Sequence, residues 1–325
     1  MKDYLSWLIR NTRTSWWHDS ADPAELDEAL AHGAVGVTTN PYLANLALTN
    51  NRRLWAAEIE AALAVPSKAE ALMRVAVTRT AARMQPMFDG VRGWVCGQVN
   101  PLHAGDREAM LAMARRYHTW APNITVKLPA TAAGLDVMEE CVASGIAVTL
   151  TVSFTVPQVI AIAERYRKAA ARATVAPGRC FAVIMIGRLD DYLREVALDT
   201  RAPVSEADIR QAGIAVVKRA LPFCRGVTLI VAALRGTHHA TELAGGDLTL
   251  SIAPAFQKAL QSPDIPCEER FARPVAVERL CSMPEFRRAY EPDGMKPEEF
   301  ISYGVTQRTL AQFAEVGWKL MEAMK

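Results

Sequence analysis

Short apolar segments alternate with longer amphipathic segments along most of the chain. Apolar runs with the length of a strand predict eight strands, one near Ser15–Asp19 and the others at Val35–Asn40, Gly93–Asn100, Ile124–Pro129, Ile146–Phe154, Cys180–Arg188, Val227–Leu234 and Leu248–Ala253. Helical periodicity occupies intervening segments such as Pro23–His32, Ala69–Arg83, Asp106–Trp120, Ala133–Ser144, Pro157–Ala173 and Ser205–Leu221. Strands that alternate with helices form parallel sheets, and a count of eight favours a single closed (β/α)8 barrel of the α/β class. An open doubly wound sheet is the alternative, but no Gly-x-Gly-x-x-Gly motif follows any predicted strand.

The chain beyond the eighth strand is expected to add helices to this barrel. Residues 266–325 carry helical patterns, and Tyr303–Met324 is a long amphipathic segment within them. We expect this extension to pack on the barrel, so that residues 1–325 form one domain. The length of 325 residues is enough for a large core without support from a disulfide or a metal.

Composition and charge exclude several classes of protein. The 37 basic and 35 acidic residues leave a formal net charge of +2, which argues against a dedicated binder of nucleic acid or of anionic membranes. No run of about 18 apolar residues predicts a transmembrane helix, and the amino-terminal segment lacks a signal-peptide pattern. Six scattered cysteines without a Cys-x-x-Cys pair are typical of reduced thiols, so we expect a cytoplasmic protein.

Several predicted strands alternate between apolar and polar residues, although a parallel strand that is covered on both faces is usually apolar throughout. In Ile146–Phe154, for example, Thr149 and Thr151 occupy the odd positions and apolar residues the even ones. We expect the polar set to face the barrel interior. Barrel enzymes place their chemistry at the carboxyl ends of the strands. The polar residues that lie late in their predicted strands are Asn40, Gln98, Lys127, Thr151 and Arg188.

Lys127 is the leading candidate for a nucleophile. A lysine in a strand usually reaches water at a sheet edge, but the alternation within Ile124–Pro129 places this one on the polar inner face. An ammonium group enclosed there loses hydration, which lowers the pKa of the amine from about 10.4 and frees its lone pair. Such a lysine suits Schiff-base chemistry with a carbonyl substrate, because the iminium withdraws electrons from the carbon–carbon bond that breaks.

Carbon–carbon cleavage also requires a base that takes a hydroxyl proton. Asp19, at the end of the predicted first strand, is the best candidate, but it fits equally well as the N-cap of the helix that begins near Pro23. We expect the adjacent His18 to face outward, because neighbouring residues of a strand point to opposite faces.

Other polar residues also have two interpretations. Asn40 precedes Pro41, so its amide can form an Asx-type turn or bind substrate hydroxyls. Taken alone, Arg188 or Arg235 would be assigned to a surface salt bridge. No metal site is expected at His238-His239, because neighbouring histidines rarely share a metal and no cysteine or carboxylate cluster supports one.

The ordered set of motifs resembles the transaldolase family of Schiff-base class I aldolases. The matching segments are Gly36-Val-Thr-Thr-Asn-Pro41, Val126-Lys-Leu-Pro-Ala-Thr131 with Gly134, Gly145-Ile-Ala-Val-Thr-Leu-Thr-Val-Ser-Phe154 with Gln158, Gly187-Arg188, Ser251-Ile-Ala-Pro254 and Asp293-Gly-Met-Lys296. They follow the family's order over nearly the whole chain. The resemblance implies a (β/α)8 barrel, sugar phosphate substrates in the pentose phosphate pathway, no cofactor and a homodimer.

The resemblance also implies roles for individual residues. Lys127 is similar in position to the Schiff-base lysine, and Asp19 to the acid/base carboxylate. Thr151 resembles the threonine that orders the catalytic water, with Gln98 beside it. Asn40 resembles the asparagine that holds the donor's terminal hydroxyl, and Arg188 and Arg235 fall where the family places its phosphate-binding arginines. Thr38 is also implied in substrate binding.

Four positions depart from the pattern of the family or of one of its branches. Gln98 stands where transaldolases carry a glutamate, and the branch similar to fructose 6-phosphate aldolase has a glutamine there. That branch also has a tyrosine where this chain has Met185. Val183 and Ala233 replace serines of the acceptor and phosphate region, so the substrate is expected to be less polar, differently charged or unphosphorylated.

Three hypotheses follow. The first is a transaldolase that transfers a dihydroxyacetone unit from a ketose phosphate to an aldose, and the second is an aldolase, favoured by Gln98. The chain length favours the first, because the aldolase branch is shorter. The third is a non-catalytic sugar-phosphate-binding relative. Four retained residues argue against it, namely Asp19, Asn40, Lys127 and Thr151.

Overall fold

The computed structural model describes residues 3–325, in which eight parallel strands close into a barrel in sequence order. The strands are β1 (Ser15–His18), β2 (Gly36–Val37), β3 (Trp94–Gln98), β4 (Ile124–Pro129), β5 (Val148–Thr151), β6 (Cys180–Met185), β7 (Thr228–Ala232) and β8 (Thr249–Ile252). The ladder between β1 and β8, in which Ser15 pairs with Thr249, closes the ring. The predicted (β/α)8 barrel is therefore confirmed.

Helices surround the barrel. Within residues 3–325 they are α1 (Tyr4–Asn11), α2 (Pro23–Ala31), α3 (Pro41–Asn50), α4 (Ala56–Leu63), α5 (Lys68–Met84), α6 (Arg107–His118), α7 (Ala132–Ala143), α8 (Val156–Ala171), α9 (Ile186–Thr200), α10 (Glu206–Ala220), α11 (Thr237–Leu243), α12 (Pro254–Leu260), α13 (Pro284–Tyr290), α14 (Gly304–Phe313) and α15 (Lys319–Glu322). Over the same residues, no helix has both the length and the apolar character needed to cross a bilayer.

Aromatic rings fill the amino-terminal part of the barrel interior. Phe181 of β6 contacts Trp17 of β1 and Trp94 of β3, with ring centroids 5.0 and 6.2 Å apart, respectively. These side chains pack edge to face, a geometry that favours close aromatic contact. Large rings therefore occupy much of this end of the barrel interior.

The prediction that Arg188 lies in the sixth strand is wrong. β6 ends at Met185, whose ladder partner is Ala232, and α9 begins at the next residue, so Arg188 lies in the first turn of that helix. The run of apolar residues continues across this junction and hides it from a periodicity count. The direct turn depends on Gly187, because a Cβ there would approach the Ala233 carbonyl oxygen to 2.4 Å.

Helices of the carboxyl-terminal extension pack against the barrel helices, with α13 against α8 and α9, and α15 against α5. The long helix expected over Tyr303–Met324 is α14 and α15 joined by a π-helical turn at Ala314–Trp318. Gly317 in that turn lies against Pro41 at the start of α3, where a Cβ would come within 2.7 Å of three Pro41–Tyr42 atoms. Much of residues 266–279 is irregular rather than helical.

Candidate active site

Lys127 lies inside the barrel near the carboxyl end of β4. Its strand neighbours in register are Gln98 on β3 and Thr149 on β5. The residue is only 6% exposed, and its Nζ donates a hydrogen bond of 2.8 Å to the Thr39 carbonyl oxygen. Burial lowers the pKa of the Lys127 amine, although attraction to the nearby Asp19 carboxylate opposes that shift. The neutral form of the Lys127 amine is therefore favoured more here than it would be at an exposed lysine.

A layer of hydroxyl groups lies beneath Lys127. The Thr125 and Thr149 hydroxyl oxygens are 2.9 Å apart, and the Cys96 thiol donates to Thr149 over 3.7 Å. Burial raises the pKa of the Cys96 thiol, so this group stays protonated and is a poor nucleophile. The layer confirms that the polar positions of β4 and β5 face inward.

Asp19 follows β1 and is held by two hydroxyl side chains rather than by a helix end. The Thr38 hydroxyl donates to Asp19 Oδ1 over 2.7 Å, and Thr38 Oγ1 lies 2.6 Å from Ser251 Oγ. Burial raises the pKa of the Asp19 carboxyl, while the Thr38 hydrogen bond and the Lys127 charge pull it down. The N-cap of α2 is Asp22, so the capping interpretation of Asp19 is wrong. Ser251 lies in one of the matching motifs, but no local pattern placed it in this hydrogen-bond network.

His18 faces outward, as predicted, into the layer between the barrel and α12. Its Nδ1 accepts a 2.8 Å hydrogen bond from Gln257 Nε2, and burial lowers the His18 pKa to about 4. The imidazole is therefore neutral at physiological pH and points away from Asp19 and Lys127.

Gln98 and Thr151 end their strands and have unused hydrogen-bonding capacity. Gln98 is buried at the end of β3, and its Oε1 has no hydrogen-bond partner within residues 3–325. Thr151 ends β5, and within residues 3–325 its hydroxyl makes only a long contact of 3.9 Å from Oγ1 to Met185 Sδ. A buried acceptor normally requires a partner, so this pair is suited to hold a water or a substrate hydroxyl.

The Asn40 side chain forms a local backbone hydrogen bond with its oxygen and leaves its amide nitrogen available to a ligand. Its Oδ1 accepts a 3.0 Å hydrogen bond from the Leu43 N–H and caps α3. The amide Nδ2 makes no hydrogen bond to residues 3–325, and the side chain is partly exposed. The cap fixes the side chain, so Nδ2 can donate to a ligand from a set position.

Arg188 has no carboxylate partner within hydrogen-bonding distance in the described chain. Its Nη1 donates to Gln312 Oε1 of α14, and its guanidinium lies 5.2 Å from the centre of the Phe313 ring. Burial and the nearby charge of Arg235 lower the pKa of Arg188 to about 10, which still leaves it cationic at neutral pH. The carboxyl-terminal extension thus contributes two residues that the sequence did not single out.

Arg235 lies three residues beyond β7 and is anchored by α9. Its Nε donates to Asp191 Oδ2 over 2.8 Å, and its Nη1 donates to the Ala233 carbonyl oxygen over 3.0 Å. The Arg235 side chain is exposed at the rim. Arg235 is therefore the salt-bridged arginine of the two, and Arg188 is the one left for an anion.

A buried carboxylate–imidazole pair holds the Arg235 backbone. His239 is fully buried, its Nε2 lies 2.9 Å from Asp190 Oδ2, and its Nδ1 accepts from the Arg235 N–H over 3.1 Å. Asp190 also accepts from the Gly213 N–H over 2.8 Å. The Asp190 carboxylate beside His238-His239 was not predicted from the sequence. The three side chains lie close enough to share a metal, but both nitrogens of His239 are already used in hydrogen bonds.

Replacing His239 by Leu is expected to lower the free energy of unfolding by about 2–4 kcal/mol, because the Asp190 carboxylate and the Arg235 N–H lose their buried partner. Urea denaturation measures this change. The matched control is His238→Leu, whose imidazole makes no hydrogen bond in the described chain, and for which about 1 kcal/mol or less is expected. Equal effects of the two substitutions would contradict a structural role for the pair.

Three of the positions that differ from the resembled family, Val183, Met185 and Ala233, carry apolar side chains. Val183 and Met185 are buried on β6, and Met185 Sδ lies against Thr151. The Val183 carbonyl accepts a hydrogen bond from the Ser153 hydroxyl, so a polar group lies close to this position. Ala233 adopts a left-handed φ of 58° directly before the arginine loop. None of these three side chains offers a hydrogen bond to a sugar.

All eight residues predicted for the site lie at the carboxyl-terminal end of the barrel. Lys127, Gln98, Thr151, Asp19 and Thr38 are interior, and Asn40 lies beside them at the start of α3. The two arginines lie at the rim, where β6 and β7 pass into their helices.

Comparison with known proteins shows the family of the chain. A family model described as transaldolase/fructose-6-phosphate aldolase matches residues 16–299. A probable transaldolase of Thermus thermophilus is 31% identical over 248 residues, covering 75% of this chain and 90% of the relative. A transaldolase of Neisseria gonorrhoeae is 32% identical over 183 residues, covering 52% of each chain. Transaldolase 1 of Streptomyces avermitilis is 34% identical over 153 residues, covering 44% of this chain and 38% of the relative. Because the family model spans all eight strands, the chain belongs to the transaldolase/fructose-6-phosphate aldolase family, a family of enzymes.

Proposed function

We propose that the protein transfers a dihydroxyacetone unit from a ketose phosphate to an aldose acceptor through a Schiff base on Lys127. The observation that carries the proposal is the placement of this buried amine among Gln98, Thr151 and Asp19 at the carboxyl end of the barrel. Burial lowers the pKa of the Lys127 amine and raises that of the Asp19 carboxyl, and these two groups can serve as the nucleophile and the base of the reaction.

The first half-reaction uses Lys127 and Asp19. The neutral amine attacks the ketose carbonyl and water leaves, which gives an iminium. Asp19 then takes the proton of the hydroxyl on the fourth carbon, and the bond between the third and fourth carbons breaks. The aldehyde leaves, and the electron pair of the broken bond is delocalised into the iminium as an enamine. Thr38 and Ser251 hold the Asp19 carboxylate toward this proton by their hydrogen bonds.

The second half-reaction returns the enzyme to its free state. The enamine attacks the acceptor aldehyde, and Asp19 returns its proton to the new alkoxide. Water then adds to the iminium and releases the product from Lys127. The free Oε1 of Gln98 and the Thr151 hydroxyl supply hydrogen bonds for that water. Since a glutamine amide does not take a proton at neutral pH, Asp19 is the base for this step as well.

The terminal groups of the substrate are assigned to the rim. Asn40 Nδ2 donates to the hydroxyl of the dihydroxyacetone unit, and Arg188 binds the phosphate with Arg235. A guanidinium fork matches two phosphate oxygens, and the absence of a carboxylate on Arg188 within the described chain supports this role. The apolar side chains at Val183, Met185 and Ala233 favour an acceptor with fewer polar contacts at those positions.

A second candidate is an aldolase that releases dihydroxyacetone without an acceptor. Gln98 favours it, because the residue can bind water but cannot act as a base, and the resembled aldolase branch has the same residue there. The same Lys127 and Asp19 steps apply until the enamine forms. Supplying the ketose without any aldose separates the candidates, since an aldolase turns over repeatedly and a transaldolase stops after one turnover.

Borohydride reduction in the presence of fructose 6-phosphate is expected to leave a stable secondary amine on Lys127, because the reagent reduces an iminium but not a free amine. Intact and peptide mass analysis locates the adduct. Lys218 is the internal control, since burial lowers its pKa too but its Nζ donates to the Arg273 carbonyl away from the site. A panel of phosphorylated and unphosphorylated ketoses then defines the donor. If no sugar in the panel modifies Lys127 while ligands still stabilise the protein, the binding-protein hypothesis replaces the enzyme hypothesis.

A further inference from the structure

The amino-terminal end of the barrel contains a second cavity, with a volume of about 450 Å³. Ser15, Thr228 and Thr249, the first residues of β1, β7 and β8, line it, and its floor includes Trp17 and Phe181. The proposed active site lies at the opposite ends of these strands. The aromatic rings and the threonine layer fill the interior between the two, so this cavity is not an extension of the catalytic pocket.

Arg179, directly before β6, brings an uncompensated positive charge to this cavity. Among the described residues, its Nη1 and Nη2 make only long hydrogen bonds, of 3.3 Å to the Gly90 carbonyl and 3.4 Å to Thr228 Oγ1. Its Nε is buried and has no partner within residues 3–325. The guanidinium lies over the Phe181 ring, 5.4 Å from its centre, and forms no ion pair in the described chain. Partly buried charges normally have a counterion, so this one is missing its partner.

The other charged residues of the lining leave a net positive potential. Arg13 is exposed at the rim and forms no ion pair with any residue of the described range 3–325. Arg92 is neutralised by Asp89, at 2.9 Å. Asp247 is the acidic residue of the lining, and it is exposed and unbonded to either free arginine. Apart from the paired Arg92, the lining therefore carries two guanidinium groups, of Arg13 and Arg179, and one carboxylate, of Asp247.

We propose that this cavity binds a phosphate-bearing small molecule, with the phosphate between Arg179 and Arg13. Arginine forks bind phosphate oxygens in pairs, and the Thr228 hydroxyl adds a further donor. The volume is that of a small-metabolite pocket and exceeds what an inorganic ion fills. Leu221 and Val227 in the lining offer apolar contact to the remainder of an organic phosphate. The chemistry recognised is thus a phosphate group, which a phosphate monoester or inorganic phosphate can supply.

Titration calorimetry tests this proposal on the full-length protein carrying Arg188→Ala and Arg235→Ala, which removes the arginines assigned to the substrate phosphate. Inorganic phosphate and glycerol 3-phosphate are the two probes. One site with salt-sensitive affinity is expected to remain in this background. Tighter binding of glycerol 3-phosphate would identify an organic phosphate as the ligand, whereas equal binding would identify the inorganic ion.

Additional substitutions in this background locate the site. Arg179→Met is expected to weaken phosphate binding by about tenfold or more, because the fork is lost, and Asp247→Asn to strengthen it several-fold. Arg53→Met, at an exposed arginine outside the cavity, is the matched control and should change nothing. If Arg179→Met does not fold, Arg13→Met at the exposed rim replaces it. This variant is also expected to weaken phosphate binding, but by a smaller factor.

Two results would overturn the site. One is the lack of phosphate binding in the background variant at concentrations up to about 10 mM, which corresponds to a very weak interaction. The other is binding that neither Arg179→Met nor Arg13→Met weakens. Binding that arises only with Asp247→Asn would also reject the proposal, since Asp247 would then already neutralise the arginines. These outcomes do not depend on whether Lys127 forms a Schiff base.

Discussion

Replacing Lys127 by Met is expected to lower kcat/KM by about 10⁴-fold or more, because the residue that would form the covalent intermediate is lost. Borohydride with the donor sugar should then leave the protein unmodified. The variant should fold, since a buried thioether of similar length costs less free energy than a buried ammonium group. Steady-state kinetics, peptide mass analysis and a thermal melt measure the three effects.

Lys218→Met is the matched control for this prediction. Lys218 is also partly buried with a lowered pKa, but its Nζ donates to the Arg270 and Arg273 carbonyls outside the barrel interior. Activity close to that of the unchanged protein is expected for this variant. If Lys127→Met kept most of the activity, the Schiff-base proposal would fail regardless of which sugar is the donor.

Asp19→Asn is expected to lower kcat by about 10²–10⁴-fold, because an amide cannot take the hydroxyl proton. The amide is nearly the same size and can still accept from Thr38, so substrate binding should change little. The pH profile supplies a second readout, since the acidic limb of kcat/KM, set by the raised pKa of Asp19, should disappear. Asp22→Asn on the same loop is the control, because Asn caps a helix about as well as Asp.

The effect of Asp19→Asn on the free energy of unfolding is expected to depend on pH. The Asp19 pKa is raised above its ordinary value of 3.8, so the folded protein holds this proton more tightly than the unfolded chain does. As pH rises from 3.8 through the raised pKa, the unchanged protein therefore loses stability from this group. The Asn variant does not, so its advantage in unfolding free energy should grow over that interval. Urea midpoints measured across the interval test the sign, and an advantage that shrinks with rising pH would refute the assigned shift.

The inward orientation of the site could be predicted because strand alternation is a local property. Successive residues of a strand point to opposite faces, so the pattern of Ile124–Pro129 was sufficient to place Lys127 with Thr125 on one face. The contact between the Thr125 and Thr149 hydroxyls confirms that the polar positions of these strands face inward. The boundary between β6 and α9 could not be read in the same way, since both elements are apolar at their junction and only the Gly187 contact marks the turn.

The partners of the site residues could not be predicted, because they are distant in sequence. Thr38 and Ser251 are 213 residues apart, and Arg188 and Gln312 are 124 apart. Each pair is brought together by closure of the barrel or by packing of the extension over its rim. The choice between Asp19 and Asp22 as the helix cap was likewise decided by the path of the chain after β1.

The sequence by itself determined the alternation of strands and helices, the inward face of β4 and β5, and the motifs that resemble the family. These features are encoded in the spacing of neighbouring residues, where periodicity and local sterics act. The tertiary structure alone decided which carboxyl is free to act as a base, which arginine lacks a counterion, and where the second cavity lies. Those properties depend on burial and on charges contributed by remote elements, and both are set only when the eight strands close into a ring.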